Sequence, residues 1–282
     1  MNSGSGRQSS WWSRSHAVEY AAEALGLGLF LMAACLVTMV LEHPKSWVHQ
    51  QVDVPWVRRL VAGAAMGLTL VGMVYSPWGR RSGAHLNPVV TLVFAALGKV
   101  APRDVLGYIA AQFLGGALGV AIMAGVAQAW LADPAVRYVV TTPGWAGVWA
   151  AFWAEGLISL TMVSAVLVVS RNRHGSRFTG WVAAGLLCLF ILIESPLSGT
   201  SMNPARTVAT ALASGEWRGW WIYFVAPTLG MFAGAGLLSC VGRSRTSGCA
   251  KLCHDPRFRC VFCEHQAEAT RRTVANPPSP GL

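Results

Sequence analysis

The pattern Ser-Gly-x-x-x-Asn-Pro-x-x-Thr occurs twice in this chain, as "SGAHLNPVVT" at residues 82–91 and "SGTSMNPART" at residues 198–207. Each copy lies between strongly apolar runs, so the repetition marks a duplicated unit. Asn is a good helix N-cap and Pro is favoured at the first helical position, so Asn87-Pro88 and Asn203-Pro204 each predict a helix start. The following segments, "PVVTLVFAALG" and "PARTVATALASG", end at Gly98 and Gly215, residues suited to a C-cap. At 1.5 Å of rise per residue each segment reaches roughly 15 Å, half the hydrocarbon thickness of a bilayer. Each predicts a half-span.

The rest of the sequence supplies full spans. The chain of 282 residues is 54% hydrophobic and only 12% charged, a composition of membrane proteins. Six stretches are long enough to cross, near residues 17–41, 56–75, 104–130, 145–169, 179–193 and 219–241. The first is too long for the core of a cleavable signal peptide and is followed by no small-residue cleavage site, so a true first span is expected. Nucleic-acid binding is not expected despite a net charge of +10, because Lys and Arg sort by side of the membrane rather than onto one patch. With the N-terminus inside, sixteen of the 22 basic residues are cytoplasmic, leaving Lys45, Arg58, Arg59, Arg137, Arg206 and Arg218 outside. The positive-inside rule therefore places both termini in the cytoplasm, in a plasma or inner membrane.

The two copies also share a glutamate: "AAEALGLGLFL" opens the first span with Glu23 and "WAEGLISLTMV" the fourth with Glu155. Three spans plus one half-span make one copy. An odd number of crossings makes the second copy enter from the opposite face, so an inverted repeat is expected with the half-helices meeting N-terminus to N-terminus near the midplane. The fold class is thus all-α, six transmembrane helices plus two re-entrant half-helices in an inverted 3+3 repeat. Polar side chains at that depth are tolerated where they line an enclosed, wetted cavity. Two positive dipole ends, each about half an elementary charge, converge there and disfavour cations.

On these motifs, the paired glutamates and the sixth span "WWIYFVAPTLG", the sequence resembles the aquaporin family, in a bacterial-type form, over roughly residues 17–241. The resemblance implies a passive channel for water and small uncharged solutes such as glycerol, urea or ammonia, excluding ions and protons, with no enzymatic activity, no cofactor for transport and a homotetramer in the lipid bilayer. It divides the chain into an N-terminal tail (1–16), a channel domain (17–241, repeats near 17–130 and 145–241) and a Cys-rich basic tail (242–282). It implies that Asn87 and Asn203 donate to the permeant at the midplane, that the carbonyls of Gly83, Ala84 and His85 and of Gly199, Thr200 and Ser201 form acceptor ladders, and that Glu23 and Glu155 hold those loops. The other reading of the glutamates is a charge snorkelling near a span end. The implied selectivity filter is Met66, Ile191, Thr200 and Arg206, with Gly67 replacing Met66 if "YSPWGRRSG" carries no extra residue. Val89 departs from the family's usual alanine and is expected to alter packing between the half-helix tips. Thr207, where glycerol-conducting relatives usually have Asp, leans toward water; Ile191 leans the other way. The alternative class is an ion-coupled secondary transporter, which also uses inverted repeats and broken helices.

The cysteines form two groups. Cys35, Cys188 and Cys240 fall in or at the end of spans, as small packing residues do. In the tail "CAKLCHDPRFRCVFCEH", Cys249, Cys253, His254, Cys260 and Cys263 are spaced like a zinc knuckle, so a structural zinc site is expected beside the alternative of free reduced thiols. The C-x-x-x-C-H run is also similar to a haem c attachment site, but its spacing is atypical and the expected compartment wrong.

Overall fold

The computed structural model describes residues 14–171, 175–240 and 249–275. Most of the expected N-terminal tail, and the basic residues Arg7, Arg173, Arg243 and Arg245, lie outside the described residues. The chain forms α1 (Arg14–Glu42), α2 (Trp47–Gln51), α3 (Pro55–Tyr75), α4 (Pro77–Ser82), α5 (Pro88–Ala96), α6 (Pro102–Leu131), α7 (Gly147–Arg171), α8 (Thr179–Ile193), α9 (Ser195–Ser198), α10 (Pro204–Ser214), α11 (Ile222–Cys240) and α12 (Val261–Ala275). Among the described residues there is no strand, and six helices are long and apolar enough to cross a membrane: α1, α3, α6, α7, α11 and α8 with the short turn before it. They match the six expected spans to within a few residues. The half-helices are α5 and α10. Asn203 caps α10, which ends on Gly215 at φ +74°. Asn87 caps α5, which stops earlier than expected, at Ala96, with Leu97 as cap and the left-handed Gly98 following it.

The duplication is visible in the packing. In the first repeat α1 lies along α6, in the second α7 lies along α11, and α3 meets α8 across the pseudo-twofold. Small residues set these contacts, as expected where lipid supplies no hydrophobic drive for helix association. A Cβ added at Gly119 would stand 2.4 Å from the Gly28 carbonyl oxygen, and one at Gly230 would stand 2.2 Å from that of Gly156. These are equivalent contacts between the first and third spans of each repeat. At the α3–α8 crossing, Cβ atoms at Gly63 and Gly67 would stand 2.6 and 2.8 Å from the carbonyls of Cys188 and Ala184.

The outer surface is apolar. Leu106, Leu114, Leu118 and Ile122 are exposed along one face of α6, spaced by multiples of four residues, a lipid-facing stripe. Exposed Trp145, Trp149, Trp220 and Trp221 gather about the starts of α7 and α11 as an interfacial aromatic belt.

Candidate functional site

The two copies of the repeated motif fold alike. Gly83, Ala84 and Leu86 take φ of +103°, +54° and +51°, and Gly199, Thr200 and Met202 take +86°, +53° and +53°. Left-handed backbone at non-glycine residues costs on the order of 1–3 kcal/mol each, so the loops must be held. A fully buried glutamate holds each one. Glu23 Oε1 accepts from His85 N (3.0 Å) and Ser82 Oγ (2.7 Å), and Oε2 accepts from Leu86 N (2.7 Å) and Gln112 Nε2 (2.8 Å). Glu155 Oε1 accepts from Ser201 N (2.7 Å) and Ser198 Oγ (2.5 Å), and Oε2 from Met202 N (2.7 Å). Tyrosines on the third span of each repeat complete the clamp: Tyr108 donates to Ser82 O (2.6 Å) and Tyr223 to Ser198 O (2.7 Å). The glutamates are therefore buried hydrogen-bond acceptors rather than snorkelling charges.

The Asn side chains tie the loops to each other. Asn87 Nδ2 donates to Met202 O and Asn203 Nδ2 to Leu86 O, both at 2.7 Å. Their Oδ1 atoms cap the half-helices, accepting from Val89 N (2.9 Å) and Ala205 N (3.0 Å). An amide nitrogen carries two N–H groups, so each Asn keeps a second donor. Both Asn residues line a cavity of about 470 Å³, which Met66, Ile191, Thr200 and Arg206 also line. Gly67 packs against α8 instead, so the register of α3 presents Met66. Val89 is fully buried in the core beside the cavity while Val90 reaches its wall, so the departure from alanine is absorbed by packing. Arg206 Nη2 donates to Gly199 O (3.3 Å), and the buried Nη1 has no partner among the described residues.

Several contributors were not singled out from sequence. Glu194 at the end of α8 is buried, accepts from Thr200 Oγ1 at 2.6 Å and also hydrogen-bonds the Ser198 hydroxyl, so it orients the Thr200 side chain. Gln112 joins the Glu23 clamp. Thr207, by contrast, was singled out from the sequence, and it occupies a buried hydroxyl chain with Thr141 (2.8 Å) and Ser201 (2.7 Å).

At the opposite end of the cavity residues 249–263 of the tail pack onto the first loop. Leu252 N donates to Gly83 O at 3.1 Å, and Gly83, expected in an acceptor ladder, is not part of the cavity wall. The His85 side chain is buried: Nε2 donates to Ala250 O (2.9 Å), and the ring stacks on Phe94 and on Phe262, the latter at 5.3 Å and 9°. Ligand atoms of Cys249, His254, Cys260 and Cys263 lie within 4.8 Å of one another. Cys253 is a correction to the expected set. It stands outside this group and packs against the apolar cluster of Val74, Ala84 and Leu252, because the chain turns its neighbour His254 toward the other thiols. The Cys249 and Cys260 sulfurs are 3.2 Å apart; hydrogen bonding between them holds the Cys260 thiol below its ordinary value and pushes Cys249 up.

Comparison with known proteins agrees with this architecture. The sequence profile of the major intrinsic protein family matches residues 10–238. The chain is 38% identical over 180 residues to Aquaporin NIP3-1 of Oryza sativa subsp. japonica, covering 63% of this chain and 56% of the rice protein. It is 30% identical over 225 residues to Aquaporin NIP1-2 of Arabidopsis thaliana, covering 78% and 72%. Its fold is similar to the X-ray structure of the aquaglyceroporin from Plasmodium falciparum, with a TM-score of 0.64 and 17% identity over 80% of this chain and 96% of that one. At that identity the likeness concerns the fold alone. Half-helices capped by cross-tied Asn residues, a doubled glutamate clamp and a profile match over most of the chain lead to one conclusion: this multi-pass integral membrane protein belongs to the major intrinsic protein family.

Proposed function

We propose that the cavity is the conducting path of a passive channel for water and small uncharged solutes. The protein is a transporter and not an enzyme. The observation that carries this reading is the pair of cross-tied amides: Asn87 and Asn203 each use one N–H on the opposite loop and hold the other for a permeant oxygen. Donors from two half-helix N-termini present a partly positive midplane, which accepts a neutral dipole and repels a cation. Met66, Ile191, Thr200 and Arg206 form the filter, and Arg206 supplies its charge. Two apolar members make it less polar than an all-water filter, so glycerol and urea pass beside water. The channel domain spans residues 17–241, both termini face the cytoplasm by the charge asymmetry, and the working assembly is a homotetramer with a pore in each subunit. Stopped-flow light scattering on proteoliposomes, with the protein stripped of metal, tests the reading through water, glycerol, urea and ammonia gradients. Flux linear in the gradient supports a channel, whereas saturable, ion-driven uptake overturns it.

Transport itself uses no cofactor. In the tail, three thiols and an imidazole form a Cys3His donor set suited to structural Zn²⁺, with Cys249, His254, Cys260 and Cys263 as ligands. Their spacing, from 3.2 Å between two sulfurs to 4.8 Å at most, brackets the about 3.8 Å edge of a tetrahedron with metal–sulfur bonds of about 2.3 Å.

A further inference from the structure

The tail and the first re-entrant loop meet through specific contacts. The backbone of Ala250–Leu252 takes both polar groups that the loop offers on that side: Gly83 O accepts from Leu252 N, and His85 Nε2 donates to Ala250 O. Between them Leu252 inserts its apolar side chain, buried, into the wall of the cavity beside Ala84, His85 and Leu86. Phe262 is fully buried and covers the outer face of the His85 ring. Two further ties anchor the segment to α4: Arg80 Nη1 donates to Asp255 Oδ2 at 2.9 Å, and the buried Lys251 Nζ donates to Arg80 O (2.7 Å) and Arg259 O (2.8 Å). A Cβ on Gly83 would stand 3.0 Å from Phe262 and 3.3 Å from Lys251, so the loop and the tail are fitted closely.

The segment that makes these contacts has little regular structure of its own before α12 begins at Val261. Ordering such a stretch costs conformational entropy that a few backbone hydrogen bonds scarcely offset. The Cys3His group supplies the missing constraint. Its four ligands bracket the docking residues in sequence: Cys249 immediately precedes Ala250–Leu252, His254 follows them, and Cys260 and Cys263 flank Phe262. One ion would fix the loop that reaches into the cavity and the aromatic ring that covers His85 at the same time.

We propose that Zn²⁺ held by Cys249, His254, Cys260 and Cys263 locks residues 249–263 into the mouth of the cavity and closes it, and that loss of the metal releases the segment and opens the channel. This regulation rests on the channel reading above. Closure acts through two contacts: Gly83 O accepts from Leu252 N, which seats the segment on the loop, and the Leu252 side chain presents a dry wall where water leaving its hydrogen-bonded file finds no partner. Deprotonated thiolates bind the metal, so assembly of the site releases protons.

The test uses the full-length protein in proteoliposomes, with Zn²⁺ alone as the probe, reading bound metal by elemental analysis and water permeability by stopped-flow light scattering. The parent is expected to bind one zinc per chain and to conduct several-fold less water when loaded than after chelation. Cys260→Ser combined with Cys263→Ser is expected to lose the bound zinc and to conduct like the chelated parent under both conditions. Leu252→Ala keeps all four ligands, so it is expected to retain zinc while losing most of the zinc-dependent decrease. Equal permeability of loaded and chelated parent, or an undiminished zinc response in the double variant, overturns the inference. If neither the chelated parent nor the double variant conducts, the channel reading itself fails and the inference with it.

Discussion

Arg206 stands one helical turn after the Asn203 cap and is held by the Gly199 carbonyl at one nitrogen, while the buried Nη1 has no partner among the described residues. A guanidinium keeps its charge at physiological pH, and a unit charge about 4 Å away interacts by roughly 4 kcal/mol at an effective dielectric of about 20, whereas water feels only a dipole. Arg206→Val is expected to keep water conduction within several-fold while raising proton or cation leak, read with a trapped pH dye. Ile191→His narrows and polarises the same level of the cavity, and is expected to lower glycerol flux more than water flux in the same vesicles. An unchanged leak together with an unchanged solute ratio would show the filter assignment to be wrong. The loop clamp gives a stability prediction. Glu23→Gln turns one acceptor into a donor facing a backbone N–H, a cost of about 1–3 kcal/mol for the unsatisfied buried group, seen as a lower thermal midpoint in detergent. At this scale the sequence is legible where a polar residue interrupts an apolar run, as at Glu23, Asn87 and Arg206. Glu194 was not legible, because a carboxylate at a span end reads as interfacial until its hydrogen bond from Thr200 is seen. Cys253 and His254 are equally good ligands by spacing, and only the packing of Cys253 against Leu252 and its neighbours separates them.

The half-helices and the spans owe their positions to different forces. Asn-Pro starts α5 and α10 locally, through capping and a preset φ, and these starts could be read from four residues. The spans are placed by close backbone approach at glycines, which sequence does not reveal because glycine is scattered through every apolar run of this chain. Gly119→Ala and Gly230→Ala each force α6 from α1 or α11 from α7 by their contact with the Gly28 or Gly156 carbonyl. Each is expected to cost about 1–3 kcal/mol by overpacking, measurable as reduced yield of folded protein and a lower unfolding midpoint. Gly125→Ala, where an added Cβ meets nothing within 4 Å, serves as the control and is expected to be silent. The short helices α2, α4 and α9 carry no periodic signal in so few residues, and α12 was hidden by the charged, Cys-bearing composition of the tail.

Across the whole molecule the inverted repeat follows from parity: three crossings per copy turn the second copy over, and the same loop, glutamate and tyrosine then recur from the other face. That symmetry was readable from two motifs and two glutamates. The docking of the tail breaks it, since among the described residues no cysteine-bearing tail segment docks on the second loop, and nothing in the spacing of the cysteines points to the pore. The proposed orientation has its own check: an impermeant thiol reagent applied outside intact cells should leave Ser176→Cys unlabelled in a background lacking the native cysteines, and labelling there inverts the topology. The claim on which everything else depends is that the cavity between Asn87 and Asn203 conducts. Its most direct measurement is the rate of osmotic shrinkage of proteoliposomes holding the metal-stripped protein, compared with empty vesicles and with a parallel preparation of Asn87→Leu and Asn203→Leu combined. The account predicts water flux well above that of empty vesicles, linear in the osmotic gradient and insensitive to ion gradients, with most of it lost in the double variant. Flux no greater than that of empty vesicles, or unchanged by loss of both amides, would contradict it.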